Sequence, residues 1–275
     1  MPRPRTTAKR SKSAAPARKP AARARKTAET AASSKLAPGE KRRFGARLLK
    51  WYGENGRDLP WRKTSDPYRI LVSEVMLQQT QVDRVIPKYH EFLERYPDFS
   101  ALAQAPVEEV RETWRPLGYN IRPNRLHSIA CETIERYQGQ LPKDETELLS
   151  FKGLGRYTVG AIRSFAFNED APILDTNVIR VLHRVFIGEG DPKTQKARLW
   201  ELSEALIPKG KGYDFNQAIM DFGATVCTAR NPYCLLCPMK AFCKTYPFDA
   251  RALARRTPTD ASVEPKATAS NGRGR

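Results

Sequence analysis

Four cysteines, Cys227, Cys234, Cys237 and Cys243, fall within 17 residues in the spacing C-x6-C-x2-C-x5-C. One isolated cysteine, a close pair and a last cysteine in so short a span point to an iron–sulfur cluster, whereas zinc sites usually hold two close pairs separated by a longer stretch. A structural zinc and a set of unrelated buried thiols are the alternatives. Disulfides are disfavoured because nothing marks the chain as secreted. Cys131, the one remaining cysteine, reads as a small core thiol in a helix that also contains Ile129 and Ile134. Iron ligated entirely by cysteine has no open position for a substrate, so the spacing suggests a fold-stabilising or redox-sensing group and leaves the reaction to other residues.

Two carboxylates are candidates for that reaction. Glu74 sits in Ile70-Leu71-Val72-Ser73-Glu74-Val75-Met76-Leu77, with Ile70, Leu71, Leu77 and Gln78 on its own helical face. A carboxyl among apolar neighbours keeps its proton, as a general acid near neutral pH must; the competing reading is a glutamate turned to water on a half-buried helix. Asp175 stands in Leu174-Asp175-Thr176-Asn177, ahead of a helix whose apolar residues are Val178, Val181, Leu182, Val185 and Phe186. Asp at that place is also what helix capping demands, so catalyst and cap are both open. Between them runs Phe151-Lys152-Gly153-Leu154-Gly155-Arg156-Tyr157-Thr158. It reads as a hairpin between two helices whose glycines gather amide N–H groups for a phosphate oxygen, or as an ordinary helix–helix turn. His90, His127 and His183 read as surface or capping residues.

The elements that must hold these residues are helical almost throughout. Apolar residues recur at helical spacing around Phe44 to Tyr52, Ile70 to Leu77, Val82 to Ile86, Val107 to Trp114, Leu126 to Tyr137, Val178 to Phe186 and Phe215 to Val226, and period-two alternation is scarce. The expectation is an all-α fold with short turns marked by Gly and Pro. The chain has 275 residues, 40% of them hydrophobic, enough for a sizeable core, and a net charge of +18 that draws polyanions, nucleic acid first among them. Residues 1–40 carry eleven Lys and Arg against Glu29 and Glu40. With almost no large apolar residue they read as a disordered basic tail, either a non-specific arm on the phosphate backbone or a solubilising extension. Its prolines argue against an organellar transit peptide. Residues 247–275 read as a second disordered tail. No apolar run is long enough to span a bilayer and no secretory segment is visible, so the chain is expected to be soluble and cytoplasmic, a monomer associated with the nucleoid.

Taken together, the cysteine array, the Gly153 to Thr158 hairpin and Asp175 resemble the helix-hairpin-helix DNA glycosylases that carry an iron–sulfur cluster. Leu59-Pro60-Trp61-Arg62, Ser73 to Val82, Leu117-Gly118-Tyr119 and Asn216 to Gly223 are similar to the MutY branch, the adenine DNA glycosylases of mismatch repair. The resemblance implies two helical lobes flanking a DNA cleft: residues 65–169 as a helical barrel ending in the hairpin, and residues 41–64 with 170–246 as a lobe bearing a 4Fe-4S cluster on the four cysteines. It implies double-stranded DNA with a mismatched or damaged base as partner, and a target base flipped out of the stack. Glu74 would protonate the purine and help activate water, while Asp175 would stabilise the cationic sugar, a division that suits an oxocarbenium-like transition state. Tyr157 would pack against that sugar; the sister endonuclease III branch carries a lysine there that forms a Schiff base. The resemblance therefore implies a monofunctional enzyme that leaves the strand uncut. Arg62 and Asn177 would support the extruded base and Asp175; Leu77, Gln79, Thr80 and Tyr119 would contact DNA or wedge the emptied stack; Gly153 and Gly155 would grip the backbone.

Three departures bear on the substrate. Members of the branch carry a C-terminal domain that recognises 8-oxoguanine, whereas 32 residues follow Cys243 here. Asn120 replaces an aromatic, and Pro123 resets the start of the next helix. Thr176 replaces a common glycine. An adenine opposite guanine or 8-oxoguanine is the expected target, thymine or uracil opposite guanine the alternative, and a non-catalytic damage-binding module a second alternative.

Overall fold

A computed structural model describes residues 36–118 and 121–248. The expectations for the far N-terminal and C-terminal tails, and for Tyr119 and Asn120, lie outside the described residues. Eleven α-helices follow one another among the described residues, with no strand: α1 (Pro38–Asn55), α2 (Pro67–Leu77), α3 (Val82–Arg95), α4 (Phe99–Gln104), α5 (Val107–Trp114), α6 (Ile121–Tyr137), α7 (Glu145–Ser150), α8 (Arg156–Phe165), α9 (Thr176–Leu182), α10 (Lys196–Leu206) and α11 (Gly212–Thr225).

Local chemistry sets the ends of these helices. Asp66, Asp98 and Asp144 cap α2, α4 and α7 by accepting from the amides of Tyr68, Ala101 and Thr146, each such cap contributing about 1 kcal/mol. Two ends differ from the sequence expectation. Helix α1 starts at Pro38, inside the stretch assigned to the basic tail, because proline is well suited to a first turn whose N–H would be unpaired anyway. Helix α6 starts at Ile121, ahead of Pro123, for the same reason: a proline in the first turn removes no helical bond. The periodic stretch from Val178 to Phe186 leaves α-geometry at Leu182 and ends in a π turn, where the Gly188 amide donates to the His183 carbonyl at 2.7 Å.

Helices α2 to α8 share one apolar core that includes Leu71, Val72, Val75, Phe92, Trp114, Leu126, Phe151 and Ile162. A second set of contacts joins α1 to the end of the chain. Phe44, fully buried, meets Phe186 edge-on at 5.0 Å and Phe215 at 6.2 Å, and Trp51 meets Phe222 at 5.3 Å. Rings buried in this way stabilise by roughly 1.5–3 kcal/mol each. Helix α1 thus packs on α10 and α11, which in turn pack on α9.

Helix α8 contacts both α2 and α11 and so brings the two sets together. Two glycines allow the close approaches this requires. A Cβ at Gly160 of α8 would lie 2.2 Å from the Pro172 carbonyl oxygen, and one at Gly223 of α11 would lie 2.7 Å from Asn177 Cβ. Both approaches press the segment 172–177, which contains Asp175, against its neighbours.

Candidate active site

Glu74 is 4% exposed, within a helix that also buries Ile70, Leu71, Val72, Ser73, Val75 and Met76. The water-facing reading of this residue is excluded. Burial pushes its carboxyl up to about 7; a hydrogen bond from Tyr157 and the charge of Arg62 pull the other way, and the charge of Asp175 adds to the rise. The Tyr157 hydroxyl, from the first turn of α8, also lies 3.6 Å from Met220 Sδ of α11.

Asp175 is a cap and a site residue at once. Its Oδ1 accepts from the Val178 amide at 2.7 Å, closing the N-terminus of α9, and its Oδ2 accepts from Asn177 Nδ2 at 2.9 Å. Burial raises its carboxyl above the ordinary range against the pull of those bonds and of Arg180. The cap therefore fixes the carboxylate without removing it from the cleft. The two acids differ in environment as an acid and an anion should: Glu74 has one hydroxyl partner in an apolar wall, Asp175 two N–H donors and a helix N-terminus.

A cleft of about 650 Å³ joins these groups, within the roughly 300–1,000 Å³ usual for ligand sites. Its walls hold Glu74, Tyr157, Asp175, Asn177, Arg62, Leu77, Gln79 and Thr80, so eight of the expected residues meet in one place. Gln79 stands there at φ +57°, a left-handed backbone that a non-glycine residue rarely adopts. Gly153 and Gly155 are apart from the cleft, in the exposed turn before α8. Of these two, Gly153 takes a positive φ of +113°, while Gly155 is extended and serves as the N-cap position of α8. The glycine conformation expected of both is needed at one.

Arg62 is largely engaged. Its two terminal nitrogens donate to Asp221 of α11 at 2.7 and 2.8 Å, and its buried Nε has no partner among the described residues. Arg57 binds the same carboxylate through Nε at 2.7 Å and its own amide at 2.9 Å. Burial would raise Asp221, but the bonds from Arg62 and Arg57 outweigh it and hold the carboxyl below its ordinary value. The pair ties the loop before α2 to α11 across the cleft wall.

Sequence reasoning assigned no role to Arg57, Asp221, Arg180 or Gln217. Gln217 lines the cleft at 3% exposure, and its amide takes no hydrogen bond among the described residues, leaving a donor and an acceptor for a ligand. Arg180 donates to Asn177 Oδ1 and to the Cys227 carbonyl, both at 2.7 Å. Asp175, Asn177, Arg180 and the cysteine segment form one hydrogen-bonded chain. For Asp221, Arg180 and Gln217 the available signal was an ionisable or amide residue inside an apolar helical run, the same signal that singled out Glu74; Arg57, in the loop before α2, carries no such signal.

The four cysteines line one small cavity together with Arg184, Val185 and Phe248. Among the described residues no group of three or more His, Cys, Asp or Glu is placed to hold one metal ion. The donor set fits a larger polynuclear group. Burial, reinforced by the charges that Cys227, Cys243 and Cys234 would carry, pushes the Cys237 thiol up to about 11, so four thiolates coexist there only around strong positive charge. The Met239 amide at 3.4 Å from Cys237 Sγ and Arg184 Nη1 at 3.6 Å from Cys227 Sγ supply the N–H donors that sulfur ligands accept.

Comparison with known proteins places this geometry in a family. Residues 72–205 match the HhH-GPD superfamily of base excision DNA repair proteins. A protein of Mus musculus named adenine DNA glycosylase is 42% identical over 214 residues, covering 74% of this chain and 42% of that one. Another of the same name from Mycolicibacterium smegmatis is 42% identical over 212 residues, 76% of this chain and 72% of that one. Among solved structures, that of a thermostable thymine-DNA glycosylase superposes with a TM-score of 0.72 at 35% identity, covering 77% of this chain and 99% of that one. The chain belongs to the HhH-GPD superfamily. It spans about two fifths of the mouse relative's length.

Proposed function

We propose that the protein is a monofunctional DNA N-glycosylase of base excision repair, a monomer that hydrolyses the bond between deoxyribose and a flipped, mismatched adenine opposite guanine or 8-oxoguanine. The observation that carries this reading is the meeting in one cleft of two carboxyls in unlike surroundings, Glu74 raised by burial to about 7 and Asp175 held by the Val178 amide and Asn177. Glu74, half protonated near pH 7, donates its proton to the base nitrogen and makes the base a neutral leaving group. Bond breakage leaves positive charge on the sugar, and Asp175, held by Asn177 and the Val178 amide, faces that charge. Glu74, now an anion hydrogen-bonded by Tyr157, accepts a proton from the attacking water. Tyr157 is a poor amine substitute, so no covalent link to the sugar forms and the strand stays uncut.

The Gln217 amide offers polar contacts to the extruded base, and Arg62 lines the same cleft. Leu77, Gln79 and Thr80 edge the cleft where the duplex must open, and the turn at Gly153 and Gly155 holds the backbone. Cys227, Cys234, Cys237 and Cys243 would hold a 4Fe-4S cluster, which supplies structural cross-linking of the C-terminal segment when bound. In this reading residues 65–169 and the combined segments 41–64 and 170–246 act as the two lobes beside the cleft. No described helix is long and apolar enough to cross a membrane.

A second substrate reading has one observation in its favour: the thymine-DNA glycosylase structure is covered over 99% of its length. One experiment separates the readings. Purified protein is incubated with duplexes holding A opposite G, A opposite 8-oxoguanine, T opposite G, U opposite G and hypoxanthine, then treated with alkali. Release of adenine is the expected result, and release of thymine or uracil in its place reassigns the substrate. Retained binding with no release from any duplex, unchanged by Glu74→Gln and Asp175→Asn, would identify a binding module.

A further inference from the structure

Arg122 is 1% exposed, and its guanidinium donates to a set of backbone carbonyls beside an aromatic ring. Nη1 donates to the carbonyls of Val75 at 3.1 Å, Met76 at 2.8 Å and Gln78 at 2.7 Å. Nη2 donates to Leu117 at 3.3 Å and Gly118 at 3.0 Å, and the guanidinium lies 5.3 Å from the Trp114 ring centroid. These carbonyls belong to two separate segments. Val75, Met76 and Gln78 are the last turn of α2, the helix that carries Glu74; Leu117 and Gly118 form the turn that follows α5, with Gly118 at φ +72°.

The last carbonyls of a helix lack intrahelical donors and carry its negative dipole end, so a buried cation there is both a hydrogen-bond partner and a charge partner. A planar fork with donors on two nitrogens can serve two segments at once, which an ammonium on a flexible stem cannot reproduce. Immediately beyond the last bond lies Gln79, at φ +57° on the cleft edge. A backbone in that region persists where its surroundings over-determine it; the Gln78 carbonyl held at 2.7 Å by Arg122 is one such restraint, and the Thr80 amide on the Leu77 carbonyl at 3.3 Å is another. The shift of Glu74 comes from burial, Tyr157, Asp175 and Arg62, whereas the bonds of Arg122 are to backbone. Its action is on the position of the chain.

We propose that Arg122 is a positioning residue for base extrusion: it locks the end of α2 to the Leu117–Gly118 turn so that Gln79 is presented to the duplex in its left-handed conformation. The inference rests on the glycosylase reading, and it concerns the opening of the base pair, not the cleavage of the glycosidic bond. It therefore predicts a split between substrates. When the target base is paired and stacked, a misplaced Gln79 slows extrusion. When the base already lies outside the stack, the placement of Gln79 matters little.

The test compares single-turnover excision from a mismatched duplex and from a matched strand carrying the same target base in a single-nucleotide bulge, for the full chain and for Arg122→Lys and Gly118→Ala. Arg122→Lys keeps the charge and removes the fork. Gly118→Ala strains the turn from a side where a Cβ meets nothing within 4 Å, so it leaves the buried core in place. Each variant is expected to lose roughly 100-fold on the paired duplex, the scale of a small misplacement remote from the chemistry, with less than about a tenth of that loss on the bulge. Fluorescence of 2-aminopurine at the target site should show the same delay in base opening. Equal losses on both substrates, or no loss on either, overturn the proposal. If Arg122→Lys does not fold, Gly118→Ala decides by the same split. Absence of excision by the unaltered protein on every substrate would instead overturn the glycosylase reading.

Discussion

Glu74→Gln separates the energetic cost of the proposed acid from its use. Burial raises the folded carboxyl to about 7 from an ordinary 4.5, a rise worth ~3 kcal/mol. The folded state holds the proton more tightly than the unfolded chain, so folding takes up a proton between these values and stability falls as pH rises through that window. The penalty is under ~1 kcal/mol at pH 5 and about 3 kcal/mol at pH 8. Glutamine keeps the shape and does not titrate. The stability of Glu74→Gln relative to the parent should therefore improve by about 2–3 kcal/mol between pH 5 and pH 8, or roughly 5–10 °C in melting temperature for a domain of this size. Any constant loss from the changed bond to Tyr157 is the same at both pH values and cancels. Calorimetry of the two proteins at pH 5 and pH 8 measures the change directly. A gap that does not vary with pH would mean that Glu74 is ionised at pH 5 as in water, and the general-acid argument would fail with it. The parent's excision rate should then show no decline above pH 7, where the reasoning requires close to tenfold per pH unit.

Three further outcomes are expected. Asp221→Asn leaves Arg57 and Arg62 facing each other around a neutral amide; since Asp221 is fully buried, the loss is about 3 kcal/mol in denaturant unfolding, and a smaller loss than about 1 kcal/mol would mean the pair is not holding the cleft wall. Gly160→Ala places a Cβ 2.2 Å from the Pro172 carbonyl oxygen. The loop carrying Asp175 must move, so excision should fall by roughly 100-fold while duplex binding, measured by fluorescence anisotropy, changes little. Cys237→Ala should remove the visible absorbance expected of the proposed cluster and loosen Asp175 as well, because Arg180 and Arg184 donate to carbonyls of Cys227, Thr228 and Ala229; a cluster-free variant with full excision activity would disconnect the two.

The helical class was legible because apolar spacing is a local property of each segment: Val85, Ile129 and Phe222 lie on faces that the pattern alone marks as inward. Helix starts were less legible at Pro38 and Pro123, since a proline reads as a break unless its place in the first turn is known. For the site, residue type sufficed at Glu74, where a lone carboxyl interrupts an apolar run. At Asp175 type could not choose between cap and catalyst, and the geometry removes the need to choose: the amide of Val178 occupies one oxygen and Asn177 the other, so capping is the means by which the carboxylate is held ready. Arg57, Arg62 and Asp221 belong together for a reason no local pattern contains. Their separations of 164 and 159 residues are closed only when α11 returns beside the loop before α2. Arg122 is the sharpest instance. In sequence it is an arginine before a proline, indistinguishable from the many surface arginines of a basic chain, and what identifies it is the set of five carbonyls converging on it from two turns of the fold. Sequence thus reveals residues that act through their own type and hides those that act by joining distant segments.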